Sequence, residues 1–148
     1  MNVAIDFGIS NTDVAVLDNS EVSFYSAPSQ STKIDSDSIK DVLKRHDIEI
    51  SNVRIIGVTG GKSSDLDDLI DGIKIVKVNE IDAIGLGAKK LYGIEDESSL
   101  VISAGTGTAC VHVQGNNFNH LGGIAVGGGM LEGLGSLLFK NSNGFEIN

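Results

Sequence analysis

Two glycine-rich turns, each following an apolar strand, carry the residues best suited to chemistry. The first joins Asp6 and Gly8 to Ser10, Asn11 and Thr12, and the second is Gly105-Thr106-Gly107-Thr108. Glycine lets backbone N–H groups approach an anion closely, and neighbouring hydroxyl groups add donors. Asp6 ends the first strand, where it is placed to hold a hydrated Mg²⁺ beside phosphates. Together the two turns predict a phosphate clamp.

A third glycine-rich segment precedes the last predicted helix, Met130 to Lys140. It contains Gly122-Gly123 and Gly127-Gly128-Gly129. Exposed N–H groups of the last three glycines, with the positive end of the helix, would bind a β- or γ-phosphate. A tightly packed crossover without a ligand is the alternative. Each glycine costs backbone entropy that another interaction must offset, which argues against an ordinary linker.

Composition limits the classes of protein and partner. The chain has 148 residues, 41% of them hydrophobic, which suffices for one proper core and for one domain or one and a half. Its 11 Lys and Arg against 20 Asp and Glu give a net charge of −9, which would repel nucleic acid. No apolar run is long enough for a membrane span and no signal peptide is readable, so we expect a cytoplasmic protein without a membrane partner.

The hydrophobic pattern alternates between strands and helices. Three short β-rich runs predict a meander, and three further strands and a hairpin follow. The meander is Asn2 to Ile5, Val14 to Leu17 and Val22 to Tyr25; the strands are Val53 to Val58, Ile73 to Val78 and Leu100 to Ser103; the hairpin is Ala109 to Val113 with Phe118 to Leu121. A first helix, capped by Asp37 or Ser38, would bury Ile39, Val42, Leu43 and His46. A second, from Glu80 to Gly93, would bury Ile81, Ile84, Ala88 and Leu91.

This order of elements is typical of the actin-like and sugar-kinase-like ATPases, and within them the chain resembles the type II pantothenate kinases. The matching stretches are Ile5-Asp6-Phe7-Gly8 with Thr12, Thr59-Gly60-Gly61, Glu80-Ile81-Asp82-Ala83, Gly105 to Thr108, Gly122-Gly123-Ile124, Gly127 to Met130, and Gly133-Leu134-Gly135. They run from about Asn2 to about Lys140. The resemblance implies an α/β, ribonuclease-H-like fold of two similar halves, with the first half complete at residues 1–97 and the second partial at 98–148.

The resemblance also implies a function. ATP would bind in the cleft between the halves with Mg²⁺ at Asp6, and the pantothenate hydroxyl would be phosphorylated as the first step toward coenzyme A. The three glycine-rich segments would hold the nucleotide. The acceptor would contact Thr106, His120, Gly122 and Gly123.

Glu80 is the candidate catalytic residue. It follows the strand Ile73 to Val78 and opens a helix, at the sheet edge where open α/β sheets place ligands. The resemblance makes it the general base that accepts the hydroxyl proton. The alternative is a carboxylate that only stabilises the helix N-terminus. We interpret Asp82 as part of the acidic first turn of that helix.

Two positions depart from the family pattern. Asp13 follows the first turn where family members commonly carry a basic residue, and Lys62 is a possible replacement cation or simply a solvated lysine. His120 occupies the position of an arginine that holds the acid's carboxylate. A neutral imidazole cannot make the bidentate pair of a guanidinium. His120 therefore binds the same acid weakly, marks a different alcohol, or is a surface residue.

The length of the chain departs further from the family pattern than these two residues do. Family chains continue past the last helix and include a late glycine motif that packs on adenosine, whereas the tail Asn141 to Asn148 has no matching element. A partial second half would leave a sheet edge and an apolar helix face uncovered, which predicts a homo-oligomer or a complementing C-terminal partner chain.

Three functions remain open from the sequence. The favoured one is an ATP-dependent small-molecule kinase, present as a fragment or as one subunit. The second is a nucleotide-binding or regulatory module without catalysis. The third is a structural protein of the same fold that oligomerises and binds no nucleotide.

Overall fold

The computed structural model describes residues 1–29, 33–61, 63–141 and 143. Its strands and helices are β1 (Asn2–Phe7), β2 (Asn11–Asp18), β3 (Glu21–Pro28), α1 (Ser36–Arg45), β4 (Ile55–Thr59), β5 (Leu69–Ile70), β6 (Ile73–Lys77), α2 (Glu80–Tyr92), β7 (Ser99–Ala104), β8 (Thr108–Gln114), β9 (Asn117–Ile124) and α3 (Gly128–Phe139). Contacts group the chain into two compact units, Met1–Glu80 and Ile81–Asn148. The predicted boundary at residue 97 concerned the halves of the ATPase fold, and it stays a prediction.

The first unit is built on a six-stranded sheet in the order β3-β2-β1-β4-β6-β5. The predicted meander is confirmed, because β1, β2 and β3 pair antiparallel. β4 is parallel to both β1 and β6, and a parallel pair requires a crossover connection such as α1. Apolar residues of β1 and α1 share one core cluster, which includes Val3, Ile5, Phe7, Ile39 and Leu43. The opposite face of β1 carries Asp6. The two-residue strand β5 was not predicted.

The start of α1 corrects a prediction. Asp35 is the N-cap, not Asp37 or Ser38. The Asp35 carboxylate accepts a hydrogen bond from the Ser38 N–H at 3.0 Å, and the Ser38 hydroxyl oxygen accepts one from the Asp35 N–H at 3.2 Å. Ser38 thus takes the place that Glu or Gln usually has in this reciprocal capping motif, so the usual template missed it. The N–H and hydroxyl of Ser38 also hold the pKa of Asp35 below its usual range.

The second unit contains α2, α3 and the antiparallel sheet β7-β8-β9. Val111 and Val113 of β8 are fully buried. The Lys89 ammonium on α2 donates hydrogen bonds to the Gly115 carbonyl at 2.6 Å and to Asn116 Oδ1 at 3.1 Å, both in the predicted β8–β9 turn. These hydrogen bonds connect α2 to the β8–β9 hairpin.

Two predictions for the second unit are wrong in detail. Leu91 was expected on the buried face of α2, but it is 76% exposed near the C-terminal end of the helix. The last helix begins at Gly128, two residues before the predicted Met130. Of the tail, only Asn141 and Asn143 lie within the described residues, and neither belongs to a helix or strand.

The contact between Gly85 of α2 and the Phe118 ring of β9 gives the first testable prediction. A Cβ at Gly85 would overlap ring atom Cδ1 of Phe118, and Cγ would lie 2.6 Å away. We expect Gly85→Ala to lower the free energy of unfolding by about 1–3 kcal/mol, because the ring or the helix must move. Gly87→Ala is the matched control, since a Cβ there meets nothing within 4 Å. It should stabilise the helix by up to about 1 kcal/mol. Urea unfolding of both variants checks this, and equal stabilities would contradict the packing.

Candidate active site

A row of three polar side chains crosses the ends of strands β2, β1 and β4. Asp6 pairs with Asp13 on one side and with Thr59 on the other. Directly paired residues of neighbouring strands lie on the same face of a sheet. Asp13, Asp6 and Thr59 therefore form one row, which we call the Asp6 row, at the carboxyl ends of β1 and β4. Open α/β sheets bind ligands at this kind of edge.

The Asp6 row carries negative charge, and no described residue forms a salt bridge with it. Burial raises the pKa of Asp6 above 3.8, because desolvation penalises the carboxylate, and the charges of Glu80 and then Asp13 raise that pKa further. Thr59 Oγ1 is buried and makes no hydrogen bond to any described residue. A cation at this edge would offset the negative charge, and a hydrogen-bonding ligand would pair with Thr59 Oγ1.

These residues fit a hydrated Mg²⁺. Magnesium is usually held by one or two carboxylates together with waters and substrate phosphates. Asp6 supplies one partly desolvated carboxylate in a field of like charge. Within the described ranges, no group of three or more His, Cys, Asp or Glu side chains could hold a metal ion. Waters and phosphate oxygens would be among the other ligands of an ion at Asp6.

Gly60 holds the end of β4 against the end of β1. Its φ is +94°, and a Cβ there would overlap the Phe7 carbonyl oxygen and lie 3.0 Å from Asp6 Oδ1. The Gly60 carbonyl accepts hydrogen bonds from the Ser63 N–H at 3.1 Å and from the Ser63 hydroxyl at 2.9 Å. Glycine at this position lets the chain pass close to the Asp6 carboxylate. The neighbouring Lys62 lies outside the described residues.

The first glycine turn is tied to a residue that sequence reasoning missed. The Ser29 N–H donates to the Ser10 carbonyl at 2.8 Å, and its hydroxyl donates to the Gly8 carbonyl at 2.8 Å. The same hydroxyl lies 3.2 Å from Thr12 Oγ1. Gly8 is required by the turn itself, because a Cβ there would lie 2.6 Å from the Asn11 carbonyl oxygen. Ser29 is recognisable only from the β2–β3 register, which brings the end of β3 beside the turn.

Glu80 is exposed at the first position of α2, three residues after β6 ends at Lys77. Its charge reaches Asp6, since it is the larger of the two charged contributions to the raised pKa of Asp6. The structure thus brings the predicted base into the electrostatic neighbourhood of the predicted metal ligand. It does so within the first unit.

In the second unit, the turn Gly105 to Thr108 packs against the start of α3. The Gly129 N–H donates to the Gly105 carbonyl at 3.2 Å, and the Met130 N–H donates to the Thr106 carbonyl at 3.2 Å. The Thr108 hydroxyl donates to the Val126 carbonyl at 2.7 Å. The Gly129 N–H, which we expected to face an anion, therefore already has an acceptor in the chain.

Close backbone packing explains three of the glycines in this region. A Cβ at Gly127 would overlap the Gly107 carbonyl oxygen, and one at Gly123 would overlap that of Thr108. A Cβ at Gly107 would lie 2.9 Å from the Ile124 carbonyl oxygen. By contrast, a Cβ at Gly105 meets nothing within 4 Å, so packing does not require glycine there. The packed-crossover alternative thus accounts for Gly107, Gly123 and Gly127.

Three of the four predicted acceptor contacts, His120, Gly122 and Gly123, lie along β9, and Thr106 lies in the turn between β7 and β8. His120 is exposed and pairs with Val111, beside the register irregularity between Cys110 and Val111. Gly122 has φ +147° and lies on the other side of that irregularity. The bulge offsets the two residues from a regular strand. Their role toward a substrate stays a prediction.

Asp6 gives a prediction about stability and pH. Because folding raises its pKa, the charged carboxylate costs stability above that pKa, and the cost disappears as pH falls below 3.8, its ordinary value. Asp6→Asn should therefore stabilise the Mg²⁺-free protein at pH 7, by up to about 1 kcal/mol since solvent screens part of the repulsion. Near pH 3.5 the gain should vanish. Urea unfolding at both pH values tests this, with Asp41→Asn on the exposed side of α1 as the control. A gain that persists at low pH would contradict the electrostatic cause.

Comparison with known proteins shows what the chain is similar to. It is 31% identical over 149 residues to a type II pantothenate kinase of Bacillus anthracis, and this match covers 97% of the chain and 51% of that protein. The sequence is similar to type II pantothenate kinases over almost its whole length. A type II pantothenate kinase of Oceanobacillus iheyensis is 34% identical over 90 residues, which cover 58% of the chain and 32% of that protein. The chain thus spans about half the length, or less, of these relatives. No family model matches it.

Solved structures agree on the fold. The activator of 2-hydroxyisocaproyl-CoA dehydratase from Clostridium difficile, solved with bound ADPNP, matches with a TM-score of 0.65 and 16% identity over 94% of the chain and 52% of its own. A putative N-acetylmannosamine kinase from Listeria monocytogenes matches with a TM-score of 0.54 and 19% identity over 80% of the chain and 48% of its own. The α/β fold is that of the actin-like ATPases and sugar kinases, as predicted, and the chain covers about half of it. Among the described residues no helix is both long and apolar enough to span a membrane.

Proposed function

We propose that the chain forms part of an ATP-dependent kinase that phosphorylates the hydroxyl group of pantothenate or a related small acid. The observation that carries the proposal is the Asp6 row with the charge of Glu80 beside it, at the carboxyl edge of a parallel strand pair. The similarity to type II pantothenate kinases supports the substrate class. Because these reactants are metabolites of the cell interior, the proposal includes a cytoplasmic location.

Each candidate residue would have a different role in phosphoryl transfer. Asp6 would hold the Mg²⁺, whose charge neutralises the phosphates, and the Gly8 to Thr12 turn would position them. The acceptor oxygen bonds to the γ-phosphorus while the bond from that phosphorus to the bridging oxygen breaks, and ADP leaves. Glu80 would accept the hydroxyl proton. At Gly105 and Gly128 an added Cβ would meet no atom closer than 3.7 Å, so close packing does not account for glycine there, and these two residues with Thr106 would contact the phosphates.

Calorimetric titration with Mg-ATP and an assay of ADP release with pantothenate test the proposal. Both are run on the chain alone and on the chain co-expressed with the remaining part of a relative. We expect binding that depends on Mg²⁺ and is weakened in Asp6→Asn. Absence of nucleotide binding in both preparations would refute the proposal and favour a structural protein.

His120 tests the identity of the acceptor. If the acid's carboxylate lies beside this residue, His120→Arg should lower the KM for pantothenate, because guanidinium forms a bidentate pair with a carboxylate. A gain of about 1.4 kcal/mol in binding corresponds to a tenfold lower KM. His112→Arg is the control, since His112 is already bonded to the Ser98 hydroxyl at 2.8 Å. An unchanged KM in the His120 variant would indicate another acceptor or a surface histidine.

A second function is favoured by Asp13. It faces Asp6 directly across β1 and β2, so a negative charge stands where family members commonly carry a basic residue. Such a site would hold phosphates less tightly and could serve as a nucleotide-binding module without turnover. That function predicts ATP binding with no ADP release, and it predicts that Asp13→Lys tightens binding without producing turnover.

A further inference from the structure

Ser29 follows the end of β3 and contacts the first glycine turn at three points. Its hydroxyl donates to the Gly8 carbonyl and its N–H donates to the Ser10 carbonyl, both at 2.8 Å. Its hydroxyl oxygen also lies 3.2 Å from Thr12 Oγ1. This turn carries the candidate phosphate donors of the first unit. The residue that holds the turn therefore decides which of those donors face a phosphate.

The hydrogen bonds of Ser29 fix the direction of the Thr12 hydroxyl. A carbonyl oxygen only accepts, so the single hydroxyl hydrogen of Ser29 lies on its bond to Gly8. In the contact between the two hydroxyl groups, Ser29 therefore accepts and Thr12 donates. The Thr12 hydroxyl has one hydrogen, and this bond uses it. Phosphate oxygens are acceptors, so Thr12 has no hydrogen left to donate to them.

Thr12 also lies on the face of the sheet opposite to the candidate metal ligand. Successive residues of a strand alternate between the two faces, so Asp6 and Phe7 are on opposite faces. Thr12 pairs with Phe7, which is buried in the core cluster. Directly paired residues share a face, which places Thr12 on the core face and the Asp6 row on the other. A phosphate bound to an ion at Asp6 would lie away from the Thr12 hydroxyl.

The bond from Ser29 to Gly8 orients the next amide group. In a planar trans peptide, the carbonyl oxygen of one residue and the N–H of the next point in opposite directions. Because the Gly8 carbonyl faces the Ser29 hydroxyl, the Ile9 N–H points away from Ser29. This N–H makes no hydrogen bond to another described backbone group, and Ile9 is 74% exposed. An anion at the turn would therefore find the Ile9 N–H as a donor.

We infer that Ser29 is a positioning residue of the phosphate-binding turn, which holds the Gly8 peptide so that the Ile9 N–H donates to a phosphate oxygen of ATP. Thr12 supports Ser29 and does not touch the nucleotide. This role rests on the proposed function and gives separate tasks to residues of the turn. A Thr12 hydroxyl that bound phosphate directly would have to break its bond to Ser29 first.

The main test compares the Kd for Mg-ATP of Ser29→Ala, Thr12→Val and the double variant, in whichever preparation binds the nucleotide. We expect Ser29→Ala to raise Kd by about tenfold or more, because the Gly8 peptide is released and the Ile9 N–H is no longer held. Thr12→Val keeps the shape of the side chain. It should raise Kd about threefold in the wild-type background and by less than about twofold in the Ser29→Ala background, because Thr12 acts only through Ser29. An equal factor in both backgrounds would show a direct contact from Thr12 and would overturn the inference.

Ser23→Ala is the matched control for the loss of a hydroxyl group. Ser23 lies on β3, pairs with Val16 on the core face and is exposed. Its substitution should leave the Kd for Mg-ATP unchanged. Urea unfolding separates positioning from stability. If Ser29 only stabilised the fold, Ser29→Ala would lower the urea midpoint while the folded protein bound Mg-ATP as tightly as the wild type, and this result would overturn the inference.

A measurement on the unmodified chain needs no variant. Addition of Mg-ATP should move the amide proton signal of Ile9 downfield in nuclear magnetic resonance spectra, because a new hydrogen bond to an anionic oxygen deshields the proton. An unchanged Ile9 signal in a chain that binds Mg-ATP would overturn the inference and leave the proposed function intact. A wild-type chain that binds no Mg-ATP in either preparation would refute the proposed function and, with it, a phosphate role of the turn.

Discussion

Replacing Glu80 by Gln is expected to lower kcat for phosphoryl transfer by about 100- to 10,000-fold while leaving the affinity for Mg-ATP nearly unchanged. Glutamine keeps the size and the hydrogen-bonding reach of the side chain but cannot accept the hydroxyl proton. The measurement is steady-state ADP release with a saturating acceptor, in whichever preparation turns over, the chain alone or its complex with the remaining half. Calorimetry with Mg-ATP measures the affinity separately.

Asp82→Asn is the matched control for this prediction. Asp82 lies two residues further along α2, is exposed, and carries the same charge. If Glu80 only stabilised the helix N-terminus, the two variants would lose the same small amount of stability and neither would lose much kcat. Equal activities would therefore reject Glu80 as the base.

The titration of Asp6 tests the electrostatic effect of Glu80 on this residue without measuring turnover. Glu80 contributes to the raised pKa of Asp6, so Glu80→Gln should lower that pKa toward its ordinary value. Carbon-13 NMR titration of the Asp6 carboxyl group measures it. Asp82→Asn should leave the Asp6 titration unchanged. A fall in kcat without a change at Asp6 would place the Glu80 side chain away from the metal end of the site.

The fold could be predicted from the sequence where local pattern and tertiary environment agree. The meander and the buried face of α1, with Ile39, Val42 and Leu43, follow from periodicity because each element packs one clear apolar side. The errors arose where a local rule had more than one solution. Asp35, Asp37 and Ser38 are all good capping residues, and only the reciprocal bond with Ser38 selects Asp35. Leu91 fitted the helical period, but no described residue covers its side chain at that end of α2.

Part of the candidate site could be predicted from the sequence, and part depends on how the strands pair. Asp6 could be named as a candidate because it lies at the end of an apolar strand, and Glu80 because the family resemblance assigns the base to this residue, which follows β6 and opens α2. Ser29 and Thr59 could not, since their roles depend on the register of β3 and β4 against their neighbours. The sequence left two explanations for the glycines, an anion site and a tightly packed crossover. Gly107, Gly123 and Gly127 are required by backbone contact, and composition cannot distinguish close packing from an anion site.

Gly60→Ala has the largest expected effect on stability, about 3–4 kcal/mol of the free energy of unfolding. Two costs add at this position. The φ of +94° is unfavourable for any residue with a Cβ, and the new methyl group would overlap the Phe7 carbonyl oxygen. The overlapping atom belongs to the backbone of a central strand, so it cannot move without disturbing the β1–β4 pair.

Two control variants in the same unit separate these costs. A Cβ at Gly72 meets nothing within 4 Å although its φ is +81°, and one at Gly61 meets nothing and has no such φ. Urea unfolding should therefore rank Gly61→Ala as nearly neutral, Gly72→Ala as costing about 1 kcal/mol, and Gly60→Ala as costing the most. If Gly60→Ala cost no more than Gly72→Ala, the ends of β1 and β4 would not be in contact.

That ranking bears directly on the candidate site, because the methyl group would also lie 3.0 Å from Asp6 Oδ1. A shift of β4 away from β1 would separate Thr59 from Asp6 and let water reach the carboxylate. The pKa of Asp6 should then fall in Gly60→Ala, since desolvation is the first cause of its rise. A destabilised variant with an unchanged Asp6 titration would mean that the clash is absorbed at Phe7 and that the Asp6 row does not depend on Gly60.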